Sequence, residues 1–333
     1  METVFISIVD RLTGRREEID VRMALTRQRT AKARTADATR WLAAALVLTG
    51  GAILAACSGT AHSRAISVVA STDVWGSVAR AVAGSHVAVK SILSGADVDP
   101  HSYEVSPADA AAIADAPLVV FNGGGYDGWV DEVLARHPNA KPVDAYSFLD
   151  GGQPRNEHVF YNLTVAKSVA ATIADRLATI DPANAADYRA NAAAFGRDAD
   201  SIAGVEHAIA ITHPNTSVVA TEPVAFYLLK ASGLANRTPA TFEAAIENET
   251  DPAPADMAAV LDLVNRRQVA AVLINPQTST TAINALRDAS RHAGVPVTDV
   301  SETLTDGTDY LTWQRNTVNQ LQSALQSSRP APS

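Results

Sequence analysis

Beyond residue 66 the chain alternates short runs of β-branched apolar residues with longer stretches whose apolar positions recur every three or four residues. Ile66–Ser71, Val87–Leu93 and Leu118–Asn122 read as buried strands, with a weaker one at Lys141–Asp144. Between them Val74–Ala83, Ser106–Ala114 and Asp127–Arg136 have helical spacing. Such alternation predicts right-handed βαβ units on a parallel sheet. The pattern then changes, because Asn162–Ile209 carries no strand signal, only alanine-rich helix formers broken at Ile180-Asp181-Pro182. Two helices are expected there, the second over Asn184–Ile209. At about 1.5 Å per residue it runs nearly 40 Å, enough to form half of a surface hairpin or to bridge two small lobes. The alternation returns with strand Ser217–Thr221, helices Ala225–Ser232 and Ala255–Asn265, strand Val269–Asn275, helix Thr280–Ala293, strand Val295–Val300 and helix Tyr310–Gln326. The expected fold class is α/β, with one lobe over 66–183, a helix over 184–209, a second lobe over 210–326 and a frayed tail over 327–333.

Ahead of the first strand the pattern is of another kind. A basic segment with Arg27, Arg29, Lys32, Arg34 and Arg40 precedes the apolar stretch Trp41–Leu54, which ends in Ala55-Ala56-Cys57. Positive charge, an apolar run too short for the ~20 residues of a membrane span, and small residues at its end mark residues 1–56 as a secretory signal. Met1–Arg22, mixed in charge, reads as an extension ahead of a start at Met23. Cys57 at the first mature position resembles a bacterial lipobox, which implies lipid attachment at the extracytoplasmic face of the cell membrane. Residues 57–65, small and polar, then form a tether.

Composition narrows the picture further. A chain of 333 residues with 47% hydrophobic content can bury two ordinary cores. Cys57 is the single cysteine, so there is no disulfide framework and no cysteine-based zinc or redox site. Removing residues 1–56 takes 9 basic and 6 acidic residues from the 27 and 36 of the whole chain and leaves a net charge of −12. That surface repels phosphate backbones and argues against a nucleic-acid partner.

The most informative stretch is Asp99-Pro100-His101-Ser102-Tyr103-Glu104, where a proline fixes the loop just ahead of a histidine and the run leads into the helix opening Ser106-Pro107-Ala108-Asp109. With Asn122-Gly123-Gly124-Gly125-Tyr126, it resembles the TroA/PsaA/ZnuA-like (cluster A-I) metal-binding lipoproteins of ABC importers, over about Ile66 to Leu325. The resemblance implies two Rossmann-like lobes with parallel sheets, joined by a long rigid helix.

In open parallel sheets ligands collect at the carboxyl ends of strands. Four residues meet that condition and match the family's ligand positions. His101 follows strand Val87–Leu93, and His158 lies in Asn156-Glu157-His158-Val159-Phe160. Glu222 follows Ser217–Thr221, and Glu302 follows Val295–Val300 where relatives usually carry aspartate. Asp299 and the carboxylates within Asp306–Asp309 are alternatives to Glu302. Two neutral imidazoles and two carboxylates suit a divalent first-row ion, and the paired acids neutralise it inside a cleft. Two donors from each lobe would make the ion a clip whose presence governs closure. Asn275 and Gln277, at the end of strand Val269–Asn275, either orient these donors by hydrogen bonds or cap the following helix. The triple glycine lacks the lysine and spacing of a phosphate loop and is expected to permit close backbone approach. His62, His86, His137, His207, His213 and His292 are scattered and read as solvated.

The function the resemblance implies is that of a monomeric, lipid-anchored solute-binding protein that captures Mn²⁺ or Zn²⁺, with Fe²⁺ a further candidate. It would deliver the ion to an ABC permease and its ATPase. Four donors and no evident fifth leave little room for reactive water, which suits transfer rather than catalysis. A metal-dependent hydrolase and a metal-stabilised adhesion lipoprotein are the alternatives, the former without an H-E-x-x-H or G-x-S-x-G motif to support it. The two-histidine, two-carboxylate set leans toward manganese.

Overall fold

The computed structural model describes residues 67–328, apart from 96–99, 102, 138–141, 150, 152–154, 279 and 306. The signal segment, Cys57, the tether and the tail beyond residue 328 lie outside the described residues. No helix among the described residues is long and apolar enough to cross a membrane.

The first lobe is built on strands β1 (Ser67–Thr72), β2 (Ala88–Leu93), β3 (Leu118–Phe121) and β4 (Val143–Asp144), all parallel in the order β2-β1-β3-β4. Every residue of β3 is buried, as expected of a parallel strand covered on both faces. Helix α1 (Asp73–Ala83) packs Trp75, Val78, Ala79 and Val82 against that sheet. Helix α2 (Pro107–Asp115) starts where Ser106 Oγ accepts the Asp109 amide, with proline where its missing N–H costs nothing. Helix α3 (Gly128–Leu134) completes the layer.

The chain then forms α4 (Leu163–Ile180), capped by Asn162, and α5 (Ala185–Thr212). Pro182 separates them, because its ring lacks the amide that would continue the helix. The 28 residues of α5 span about 42 Å. Tyr188, Phe195, Ala199, Ile202 and Ile209 form its buried stripe, which runs from one lobe to the other.

The second lobe repeats the first. Strands β5 (Ser217–Ala220), β6 (Ala235–Asn236), β7 (Val272–Ile274) and β8 (Val297–Asp299) are parallel in the order β6-β5-β7-β8. Helices α6 (Phe226–Ala231), α7 (Ala240–Glu247), α8 (Pro254–Asn265), α9 (Thr281–Ala293) and α10 (Tyr310–Ser327) surround them. Strand β6 and helix α7 have no counterpart in the sequence reading. Strand β8 starts two residues later than expected, since Pro296 has no amide to donate to a ladder.

One apolar core runs through both lobes, from Val68 and Trp75 through Phe160, Phe195 and Val218 to Trp313 and Leu325. Hydrogen bonds reinforce the junction. Asp73 accepts the Gly95 amide at 3.2 Å and the Leu304 amide at 3.3 Å, and the Tyr310 amide donates to Ser77 Oγ at 2.9 Å. Tyr161 donates its hydroxyl to the Ser301 carbonyl at 2.9 Å, while Tyr310 and Gln314 both donate to the Phe160 carbonyl.

Candidate metal centre

The carboxyl ends of the two sheets face a common cleft, and the four residues expected to ligate all reach it. His101 follows β2, and its ring meets Tyr126 edge-on at 4.7 Å between centroids. Trp129 Nε1 donates to the Pro100 carbonyl at 3.3 Å, holding the residue before it.

His158 is fully buried. Its amide and its Nδ1 both lie against Asn156 Oδ1, at 2.8 and 3.0 Å. An amide oxygen only accepts, so Nδ1 donates to it and Nε2 is the ring nitrogen that faces the cleft. The loop is held from two sides. Tyr227 in the second lobe donates to the Asn156 carbonyl at 2.8 Å and accepts the Asn156 amide at 3.0 Å. Asn122, oriented by Trp75 Nε1, donates to the Glu157 carbonyl at 2.8 Å.

The triple glycine explains how Asn122 gets there. All three glycines have positive φ, and a Cβ on Gly123 or Gly124 would run into Asp144 or the Tyr146 ring. Buried Asp127 accepts the Asn122 and Gly123 amides at 2.7 and 2.8 Å, and burial still pushes its carboxyl up to about 6.

Glu222 stands at the head of the turn Pro223–Ala225, yet its side chain makes no capping hydrogen bond and points into the cleft. Asn275 Nδ2 donates to Glu222 Oε2 at 2.8 Å and to Glu302 Oε1 at 2.9 Å. That orientation of the amide is fixed because Asn275 Oδ1 accepts the Gln277 amide. Gln277 Oε1 accepts the Glu302 amide at 2.7 Å, and its Nε2 donates to Thr303 Oγ1 at 3.1 Å. The cap of α9 belongs to Thr280 instead, whose Oγ1 accepts the Ile283 amide. Asp299 faces outward and pairs with Arg287 at 3.0 Å, and Asp309 caps α10 through the Thr312 amide. Asp306 lies outside the described residues.

Glu302 Oε2 is 3.7 Å from both His101 Nε2 and His158 Nε2. These are charge contacts, too long for hydrogen bonds. Burial by itself would raise the Glu302 carboxyl, but the two imidazoles outweigh it and hold the group at about 2. Glu222 goes the other way. Burial pushes it up to about 7 despite donors at Thr278 and Asn275, with Glu302 adding repulsion.

The sequence names four donors, and the structure brings one further carboxylate, Glu247, to the same cleft. Glu247 Oε1 stands 3.8 Å from His158 Nε2, and donor atoms of His101, His158 and Glu247 lie within 4.8 Å of one another. Burial raises the Glu247 carboxyl, which also feels both histidines as well as Glu157 and Glu302. The signal for it was weak: Phe242 and Ile246, four residues apart, place a helix whose last residue is Glu247.

Donors bound to one ion at about 2.1 Å stand roughly 3.0–3.5 Å apart, close to the separations seen here. Among the described residues, His158 Nε2, Glu222 Oε1, Glu247 Oε1 and Glu302 Oε2 are buried and find no hydrogen-bond partner. Groups of this polarity are costly to bury unpaired, and a divalent cation would satisfy the imidazole nitrogens and the carboxylates together. The residues therefore fit a metal ion.

Two parallel-sheet lobes thus bring imidazoles and carboxylates together at one cleft. A family model described as zinc-uptake complex component A, periplasmic, matches residues 68–324, and the chain belongs to that family. It is 24% identical to the manganese-binding lipoprotein MntA of Bacillus subtilis over 257 residues, 72% of this chain and 81% of that protein. It is 23% identical over 275 residues to the iron ABC transporter substrate-binding lipoprotein MtsA of Streptococcus pyogenes, covering 76% and 86% of the two. The fold matches the periplasmic zinc binding protein TroA of Treponema pallidum with a TM-score of 0.65 at 17% identity, over 79% of this chain and 99% of that one.

Proposed function

We propose that this chain captures a divalent first-row cation at the extracytoplasmic surface and hands it to an ABC permease driven by its ATPase. His101, His158, Glu222 and Glu302 hold the ion. The observation that carries the reading is the convergence of buried, unpartnered polar atoms from both lobes on the two imidazoles. Family membership gives the transport context, and the relatives are named for manganese and iron. We read Cys57 as the lipid attachment point and the mature chain as a monomer.

Neutral imidazoles and ionised carboxylates bind, while the buried cleft strengthens the charge interactions and limits exchange with water. Asn275 and Gln277 keep the acids aimed. His101→Ala is the decisive variant, because His101 is the more exposed of the two histidines and its loss leaves the shared core intact. Metal-free protein titrated with Mn²⁺ or Zn²⁺ in a calorimeter is expected to bind one ion, and H101A to lose at least about 100-fold in affinity at unchanged melting temperature. Equal affinity in H101A would remove the site from this role.

A further inference from the structure

Glu247 reaches the cluster from outside the four loops that carry the other donors. It is the last residue of α7, where a negative side chain sits at the unfavourable end of the helix dipole. Its Oε1 is buried without a hydrogen-bond partner. Neither helix stability nor local bonding accounts for a carboxylate there.

The end of α7 is nevertheless firmly built. Phe242 and Ile246 are fully buried in the second lobe's own core, with Val260, Val272 and Ile274. After Glu247 the chain turns sharply: the Asn248 amide and side chain both donate to the Ala244 carbonyl, and the Thr250 amide and hydroxyl both donate to the Ala245 carbonyl. Glu249 takes a left-handed conformation, φ 53°, to allow it. The carboxylate is thus held 3.8 Å from Nε2 of His158, whose Nδ1–H is already committed to Asn156.

We propose that Glu247 is a fifth donor to the captured ion, completing a set of two imidazoles and three carboxylates that favours Mn²⁺ or Fe²⁺ over Zn²⁺. The inference rests on the reading of the cleft as a metal receptor. Zinc is satisfied by four donors in most protein sites, so a fifth gains it little. Manganese stands at the weak end of the divalent series and prefers oxygen, so an added carboxylate contributes most to it. Three carboxylates around a doubly charged ion also leave the centre one charge negative, which compensates manganese for its weaker bonds to nitrogen.

The test compares the mature wild-type chain with Glu247→Ala, Glu243→Gln and His101→Ala. Glu243 lies one turn earlier on the same helix and is bonded to Asn236, so it reports any general effect of charge. Mn²⁺ and Zn²⁺ affinities come from calorimetric titration with competition, and coordination number from the visible absorption of the Co²⁺-loaded protein, which is weaker for five donors than for four. E247A is expected to lower Mn²⁺ affinity at least about 10-fold more than Zn²⁺ affinity and to intensify the Co²⁺ bands, with E243Q unchanged. An unaltered Mn²⁺/Zn²⁺ ratio and Co²⁺ spectrum in E247A, or the same change in E243Q, overturns the proposal. If H101A abolishes binding while E247A does nothing, only the fifth donor fails. If neither affects binding, the receptor reading itself fails.

Discussion

The side-chain amide of Asn275 donates to Glu302 Oε1 at 2.9 Å while its other hydrogen serves Glu222 Oε2 at 2.8 Å, so one nitrogen sets the spacing of two carboxylates. Glu302 then turns its second oxygen toward the imidazoles, and among the described residues neither second oxygen finds a hydrogen-bond partner. Asn275→Ala removes both donors and leaves the acids repelling each other in a buried place. Groups that orient a ligand in this way are worth about 10–100-fold in metal affinity. Calorimetry of N275A is expected to show a loss in that range, and an affinity within twofold of wild type would contradict the role.

The proposed site couples metal uptake to proton release at Glu222. Burial raises this carboxyl to about 7, so near neutral pH the metal-free protein carries a proton there that the ion must displace. Affinity therefore rises with pH up to about 7. Glu302, held at about 2, stays ionised throughout and releases nothing. The apparent binding enthalpy at about pH 6.5 is expected to vary with the ionisation enthalpy of the buffer, and Glu222→Gln to remove most of that variation. Buffer-independent enthalpies in wild type would refute the coupling.

Glu206 on α5 is another buried acid, raised by burial to about 8. Its folded-state pKa exceeds its unfolded value of 4.5, so between those values the native state binds the extra proton. Native stability is therefore lost as pH rises from about 4.5 to about 8. Glu206→Gln keeps the shape without the charge. In thermal melts of metal-free protein the variant is expected to match wild type near pH 5 and to exceed it by roughly 5 °C near pH 8. A constant difference across that range would show that Glu206 does not titrate as assigned.

Much of this arrangement is legible in the residues because the donors sit where strands end. Pro100 ahead of His101, the run Thr221-Glu222-Pro223 and the turn at Glu302 all mark breaks between a β-branched run and a helix. The two-lobed plan follows from the same alternation, and Pro182 marks the start of the joining helix. Helix α7 escapes notice because only Phe242 and Ile246 carry its pattern, and eight residues between Pro239 and Asn248 read as a loop. The approach of Glu247 to the cleft was only weakly legible, since its position depends on how β6 pairs with β5 more than on its neighbours in sequence. Local pattern also cannot choose between orienting and capping roles at Asn275. Only the approach of Glu222 and Glu302 from separate loops decides that.

The apolar core shared by the two sheets has a consequence for how the cargo comes and goes. Prising the halves apart would wet side chains such as Trp75, Phe195 and Trp313, at about 5 kcal/mol for every ~200 Å² uncovered. Opening the two halves as hinged jaws therefore carries a large cost. In the proposed cycle the ion then enters and leaves past the exposed loop that carries His101, at the edge of that body.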